Sequence, residues 1–211
     1  MSTDLLDTPA GSASLRRRRH TGVWVTMLVA SLASLVASFV LATDAIRLAE
    51  NPGLDLSCNI NAVISCGTVA GSWQASVLGF PNAFLGLMSE PVVITVAVAG
   101  LAGVRFPRWF MLTAQMFYLI GFAFAYWLFE QAMVDIGALC PWCMLVTVAT
   151  TFVFFELTRI NVLEGHLPLP AGAQAALEKA VRLRLDVFAL AVWLLLLALV
   201  VVLRYGEALF A

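Results

Sequence analysis

Two pairs of cysteines are the residues of this sequence best suited to chemistry. Cys58 and Cys66 are separated by seven residues, and the second pair forms the motif Cys140-Pro-Trp-Cys143. Positions i and i+3 of a helix share a face, and proline suits the first helical turn because no backbone donor is lost there. The helix N-terminus also favours a thiolate. The second pair is therefore predicted to carry out thiol–disulfide exchange at the start of a helix.

The rest of the chain is composed like a membrane protein. Hydrophobic residues make up 62% of its 211 residues and charged residues 12%, which is about half of the charged fraction of a soluble domain. The net charge of −1 argues against nucleic-acid binding, which needs a basic face. Apolar segments predict an all-α membrane protein with five transmembrane helices, at approximately residues 23–43, 83–104, 109–129, 140–157 and 187–203.

The first and second apolar segments each carry a complication. The first is longer than the apolar part of a signal peptide, so we expect it to remain as an uncleaved helix. The second is interrupted by Glu90-Pro91, which predicts a break or kink in that helix.

The distribution of Lys and Arg predicts the orientation of the helices. With the N-terminus in the cytoplasm, ten of the twelve Lys and Arg residues lie inside, and only Arg47 and Arg204 lie outside. The first long loop and the start of the fourth helix then both face the outside. All four cysteines therefore lie on the oxidising side of the membrane, although the cysteines were not used to derive the topology.

Two dithiol pairs on one side of a membrane indicate a relay, because thiol exchange passes two electrons per step without a metal. The loop with Cys58 and Cys66 has glycines nearby and could move between an external substrate and the second pair. The terminal acceptor must take two electrons inside the bilayer, as a lipid-soluble quinone does.

Three alternatives to this relay stay open. The electrons could flow in the opposite direction, or the chain could be a membrane protein with structural disulfides and no redox catalysis. A four-cysteine zinc site is the third, but the spacing of Cys58 and Cys66 fits zinc poorly, so we predict no metal.

The motifs around the cysteines resemble those of the vitamin K epoxide reductase family. They run in the order Cys58-x7-Cys66, Gly67-Thr68, Ser72-Trp73, Pro81-Asn-Ala-Phe-Leu-Gly86 and Cys140-Pro-Trp-Cys143, and the resemblance covers about residues 23–160. The chain looks most like the bacterial homologues that regenerate disulfide-forming proteins. The enzyme DsbB does similar chemistry but carries its CxxC motif in the first outer loop, so it is the poorer match.

The resemblance implies a four-helix bundle around a quinone, capped by the outer loop, with a role for each cysteine. Cys143 would face the quinone and reduce it. Cys140 would exchange with the loop pair through Cys66, and Cys58 would meet the partner protein. The acceptor would be menaquinone or ubiquinone, and the enzyme would lie in the bacterial inner membrane.

The resemblance also implies roles for two polar residues. Asn82 would hydrogen-bond a quinone oxygen, although it could also cap the second membrane helix. Ser72 would lie near the site, although its hydroxyl could equally bond within its own loop. Glu90 is an acid within a membrane helix, but a structural role beside Pro91 is as good an interpretation, so it is not assigned to the site.

The sequence departs from the family pattern at two places. Thr147 stands where animal members carry a tyrosine, which argues against vitamin K epoxide as the substrate. Many bacterial and plant members carry a thioredoxin-like domain after the fifth membrane helix, whereas this sequence ends at Ala211. We therefore expect the redox partner to be a separate extracytoplasmic thioredoxin-like (DsbA-like) protein.

The sequence predicts four regions along the chain. They are a disordered cytoplasmic tail over residues 1–22, a catalytic core over 23–160, a cytoplasmic connection over 161–186, and a fifth transmembrane helix with a short outer tail over 187–211.

Overall fold

The computed structural model describes the backbone of residues 9–209 and the side chains of residues 21–206 and 208. The described residues form seven α-helices, which are α1 (Pro9–Glu50), α2 (Cys66–Ala70), α3 (Ala83–Leu101), α4 (Arg108–Gln131), α5 (Pro141–Leu163), α6 (Ala171–Arg182) and α7 (Leu185–Tyr205). Five of these, α1, α3, α4, α5 and α7, are long and apolar enough to cross a membrane. The predicted all-α fold with five membrane helices is confirmed.

Helices α1, α3, α4 and α5 form the bundle. Helix α1 packs along both α3 and α5, and α4 packs on α5. Helix α7 lies against α5, and α6 contacts both α5 and α7. The largest buried apolar cluster fills the bundle at the start of α1 and the end of α5, and it includes Val23, Trp24, Met27, Val96, Ala97, Met111, Val153, Leu157 and Ile160. This cluster anchors the end of the bundle that lies away from the cysteines.

Small residues let α1 and α3 approach each other closely. Ser31, Ser34 and Ser38 on α1 are almost completely buried. A methyl group added at Gly86 of α3 would meet the Ser38 side chain, and one added at Gly100 would meet the indole ring of Trp24. Membrane helices commonly pack through such small side chains, because apolar lipid offers little hydrophobic drive for association.

A buried acid joins three helices of the bundle. Glu90 of α3 accepts a hydrogen bond from the Ser34 hydroxyl of α1 at 2.8 Å, and the Tyr118 hydroxyl of α4 lies 3.4 Å from its carboxyl oxygens. Helix α3 continues through Pro91 as a single helix. Membrane helices tolerate proline where neighbouring groups satisfy the freed backbone.

Two of the regions outlined from the sequence contain helix in the structure. The backbone is helical from Pro9, within the predicted tail 1–22, and residues 1–8 lie outside the described residues. The arginines at 16–19 favour this helix, because arginine is a good helix former. The predicted connection 161–186 contains the last turn of α5 and the alanine-rich helix α6, which begins directly after Pro170.

We expect Gly100→Ala to destabilise the protein by about 1–3 kcal/mol, because the added methyl group overpacks a site already filled by the Trp24 indole. Gly121→Ala is the matched control, since a methyl group at that α4 position meets nothing within 4 Å. Thermal unfolding of the purified proteins in detergent would compare them. Equal melting temperatures would show that the α1–α3 contact yields to a methyl group without cost.

Candidate redox site

The four cysteines meet at one end of the bundle. A disulfide joins Cys58 and Cys66, whereas Cys140 and Cys143 are free thiols. The Cys140 sulfur lies 3.3 Å from the Cys66 sulfur, with the Cys140 thiol donating toward it. The structure therefore brings together Cys66 and Cys140, the two cysteines that the family resemblance pairs for exchange. Little movement is needed for one sulfur to attack the other.

Main-chain hydrogen bonds hold Cys66 close to Cys140. The N–H of Leu139 donates to the carbonyl of Val63 at 2.7 Å, and the N–H of Ser65 donates to the carbonyl of Leu139 at 3.0 Å. The two bonds form a short parallel bridge between the loop that carries Cys58 and Cys66 and the residue that precedes Cys140. Cys66 and Cys140 each follow directly after a bonded residue, so the bridge sets their positions relative to each other.

The start of α5 stabilises the thiolate of Cys140. Cys140 is the N-cap residue of the helix, and its sulfur accepts the backbone N–H of Cys143 at 3.4 Å. Hydrogen bonding from the Cys143 thiol lowers the pKa of Cys140 below its ordinary value, while burial and the carboxylate of Asp44 oppose that shift. Because a thiol of lower pKa leaves a disulfide faster, the lowered pKa suits Cys140 to be released from a bond with Cys66.

The sulfurs lie in an apolar cluster that keeps water away. Cys58, Cys66 and Cys140 expose only 7%, 2% and 2% of their surface. The residues packed around them come from α1, the loop and α5, and they include Leu41, Leu48, Leu54, Leu56, Val69 and Trp142. Cys58 is the residue expected to meet the partner, yet the loop covers it in this oxidised state. Any thiol that attacks Cys58 must therefore displace part of the loop.

Asn82 lies directly before α3, but its side chain does not cap that helix. Its amide nitrogen donates to the backbone carbonyl of Gln74 at 2.6 Å. The amide oxygen of Asn82 is buried and has no hydrogen-bond partner among the described residues. A buried, unpaired carbonyl oxygen costs free energy unless a ligand or water satisfies it. This oxygen is therefore a binding group that lacks its partner within the protein.

Ser72 and Gln74 belong to the loop segment that follows α2. The Ser72 hydroxyl donates to the carbonyl of Val69 at 2.7 Å, so it is engaged within its own loop. Sequence analysis overlooked Gln74, which is buried, holds Asn82 through its carbonyl, and donates its side-chain amide to Gln131 at 3.2 Å. An isolated glutamine carries no motif, so only the folded loop reveals this position.

A comparison of the sequence with models of protein families assigns the chain to one of them. The sequence model of the Vitamin K epoxide reductase family matches residues 25–158, more than half of the chain, and this range contains all four cysteines, Ser72 and Asn82. The chain belongs to the vitamin K epoxide reductase family. Members of this family are membrane thiol–disulfide oxidoreductases coupled to quinones, so the same description holds for this protein. No curated protein matches the chain.

The unpaired oxygen of Asn82 fits the quinone that the family implies. As placed, this oxygen can accept a hydrogen bond from a quinol hydroxyl. Turning the amide over would set this oxygen against the Gln74 carbonyl, so the hydrogen bond to Gln74 at 2.6 Å keeps the oxygen facing the place of a ligand. Asn82 therefore suits the quinol form of the acceptor, which has hydroxyl groups that can donate.

Thr147 occupies the position at which animal members of the family carry a tyrosine. It belongs to a group of hydrogen-bonded hydroxyl side chains, which we call the hydroxyl ladder. Thr147 donates to the carbonyl of Cys143 at 3.0 Å, and Thr151 donates to the carbonyl of Thr147 at 2.8 Å. The Tyr126 hydroxyl of α4 pairs with Thr151 at 2.8 Å and accepts the indole N–H of Trp193 from α7 at 2.6 Å. The ladder thus connects α4 and α7 to the first turns of α5.

Asn59 is a second residue that sequence analysis overlooked. Its amide oxygen accepts the backbone N–H of Gly67 at 2.9 Å and the hydroxyl of Ser65 at 3.2 Å. Its amide nitrogen donates to Asp55 at 2.8 Å. An asparagine beside a cysteine in a loop that starts a helix was the available signal, because asparagine commonly caps helices and turns.

The disulfide argues against the zinc alternative, because Cys58 and Cys66 cannot serve as thiolate ligands while they are bonded to each other. Among residues 21–206, no three His, Cys, Asp or Glu side chains are grouped to hold a metal ion.

The contact between Cys66 and Cys140 can be tested by leaving only two cysteines. We expect Cys58→Ser/Cys143→Ser to form a Cys66–Cys140 disulfide readily under mild oxidation, because these sulfurs are 3.3 Å apart. The matched control, Cys66→Ser/Cys143→Ser, leaves Cys58 and Cys140 and should oxidise on the order of 10- to 100-fold more slowly. Mass spectrometry of thiol-blocked peptides would follow both reactions. Equal rates would mean that the loop presents both of its sulfurs to Cys140.

Proposed function

We propose that this protein is a quinone-dependent enzyme that generates disulfides outside the cytoplasm. It takes electrons from a separate thioredoxin-like (DsbA-like) protein and passes them from Cys58/Cys66 to Cys140/Cys143 and then to menaquinone or ubiquinone. The observation that carries the proposal is the 3.3 Å contact between a free CxxC thiol and the loop disulfide. A purely structural disulfide would not need a reactive thiol against it, which disfavours a non-catalytic membrane protein.

Electrons enter through the loop by thiol exchange. A thiolate of the partner attacks Cys58 and releases Cys66, and the second thiol of the partner then resolves the mixed disulfide. The partner leaves oxidised, and Cys58 and Cys66 are left as thiols. Since burial of Cys58 limits access, we expect this step to require a partner that displaces the loop.

A second exchange carries the electrons inward. Cys66 attacks Cys140 of the Cys140–Cys143 disulfide and releases Cys143, and Cys58 then attacks Cys66 and frees Cys140. The products are a loop disulfide and a CxxC dithiol. This is the redox state of the structure, in which Cys58–Cys66 is oxidised and the other two cysteines are reduced.

The last step returns the CxxC pair to a disulfide. A quinone bound at the site accepts two electrons and two protons. Cys143 lies one helical turn deeper in α5 than Cys140, so we assign it to face the acceptor. Cys140 captures the Cys143 sulfur as the electrons leave, and the two thiol protons follow them. Asn82 would orient the acceptor through its unpaired amide, and we keep Ser72 only as a residue near the site.

We assign the N-terminus to the cytoplasm and the cysteines to the outer face of a bacterial inner membrane. The charge distribution supports this orientation, because ten of the twelve Lys and Arg residues then lie inside. Electron delivery to a quinone from an extracytoplasmic partner also requires the cysteines on that side.

We expect Cys143→Ala to lower quinol formation by the purified enzyme at least about 100-fold, because the group that reduces the acceptor is lost. The electron donor would be a small dithiol, and the change in quinone absorbance would report the rate. Cys58→Ala should be affected less, since a small dithiol can bypass the loop. Quinol formation at the wild-type rate by the Cys143 variant would rule out the relay in this form.

Removing Cys66 should trap the partner. In Cys66→Ser, Cys58 is left as a free thiol that can attack the disulfide of an oxidised partner. Because Cys66 is absent, only the partner's released thiol can break the resulting bond, so the adduct should accumulate in the native host. A larger species on a non-reducing gel, lost on reduction, should contain an extracytoplasmic thioredoxin-like protein. The control Cys58→Ser/Cys66→Ser should lack this adduct. An adduct that survives in the control would show that Cys58 does not accept the partner's electrons.

A further inference from the structure

The side chain of Asn59 connects the two ends of the loop pair by a route that does not pass through sulfur. Asn59 directly follows Cys58, and its amide oxygen accepts hydrogen bonds from Gly67 and Ser65, the two residues that flank Cys66. The distances are 2.9 Å to the Gly67 nitrogen and 3.2 Å to the Ser65 hydroxyl. These bonds remain available when the disulfide between the cysteines is broken.

Two neighbouring features complete this contact. Asp55 accepts the amide nitrogen of Asn59 at 2.8 Å, which fixes the orientation of the amide. Position 67 carries a glycine, and a Cβ there would lie 3.1 Å from the amide nitrogen and 3.3 Å from the amide oxygen of Asn59. Few real side chains pack that tightly, so a glycine at this position makes room for the amide. We call Asp55, Asn59, Ser65 and Gly67 the loop clamp.

We propose that Asn59 is a positioning residue that keeps the reduced Cys58 and Cys66 side by side between the two exchange steps. The proposal rests on the proposed function, in which the loop pair is reduced once per turnover. Without the loop clamp, the two thiols would be free to separate as soon as the disulfide opens. With it, Cys58 stays beside Cys66 and can release Cys140 from the mixed disulfide.

The loop clamp has a measurable thermodynamic effect. Holding two thiols together raises the equilibrium constant for forming their disulfide, which makes the reduction potential of the pair more negative. A more negative potential also favours the passage of electrons onward to Cys140 and Cys143. The clamp and the bridge at Leu139 therefore act on different pairs of residues, since the bridge aligns Cys66 with Cys140 and the clamp aligns Cys58 with Cys66.

The experiment isolates the loop pair in the full-length chain. In a Cys140→Ser/Cys143→Ser background, the loop disulfide would be equilibrated with reduced and oxidised glutathione. Glutathione disulfide takes two electrons and two protons from the loop thiols and becomes two glutathione thiols. We expect Asn59→Ala to lower the equilibrium constant for loop disulfide formation about tenfold, which corresponds to a potential about 30 mV less negative.

A matched control comes from the same loop. The amide oxygen of Asn61 accepts the backbone N–H groups of Val63 and Ile64 at 3.0 and 2.7 Å, and it makes no recorded contact with Ser65 or Gly67. Asn61→Ala should therefore shift the potential less than Asn59→Ala. An equal shift from both variants, or no shift from Asn59→Ala, would overturn the proposal.

Exchanging the side chains of Asp55 and Asn59 distinguishes the loss of these hydrogen bonds from a general loss of folding. Asn59→Asp alone turns a carboxylate toward Asp55 and should disturb the potential at least as much as Asn59→Ala. Asp55→Asn/Asn59→Asp restores one amide donor and keeps an acceptor for Gly67, so it should recover most of the original potential. Failure of this double variant to recover, with thermal unfolding unchanged, would overturn the clamp. The titration uses neither quinone nor partner, so its outcome is separate from the test of the proposed function.

Discussion

A parallel bridge of two main-chain hydrogen bonds is the constraint on which the redox site depends. It ties Leu139 to Val63 and Ser65, and Cys140 and Cys66, which we propose to exchange electrons, follow directly after Leu139 and Ser65. Neither of these hydrogen bonds involves a sulfur atom, so both remain possible whether the thiols are oxidised or reduced. In the relay that we propose, Cys66 can therefore stay near Cys140 while the part of the loop that covers Cys58 is displaced.

Burial and hydrogen bonding have opposite effects on the charge of the cysteine sulfurs. The apolar cluster of leucines and Trp142 covers the sulfurs and disfavours charge, whereas the hydrogen bond from Cys143 lowers the pKa of Cys140. The balance favours the thiolate of one sulfur inside surroundings that exclude water. Thr147 and Thr151 lie further along the same helix, and the bonds from Thr151 through Tyr126 to Trp193 link α7 to the bundle.

The sequence was sufficient to predict the membrane helices and the start of α5 at the CxxC motif, because apolar length and helix-start chemistry are local signals. It was insufficient where structure depends on contacts between distant segments. The bonds from Ser34 and Tyr118 to Glu90 join three helices, and the orientation of the Asn82 amide depends on the Gln74 carbonyl. The burial of Cys58 and the contacts of Asn59 likewise arise only when the loop closes on itself. The type of a loop residue does not determine which backbone groups its side chain will contact.

The Glu90 carboxyl group has a consequence for how the protein is made. Its two hydroxyl partners come from α1 and α4, which precede and follow α3 along the chain. While α3 is newly inserted, this acid faces either lipid or a half-formed bundle, and an acid in the middle of a membrane helix costs about 2.5–3.5 kcal/mol in insertion experiments. The penalty falls when Ser34 of α1 donates to the acid, and it falls again when α4 brings Tyr118. Docking of both neighbouring helices onto α3 is thereby favoured during insertion, because each supplies a hydroxyl group to the buried acid.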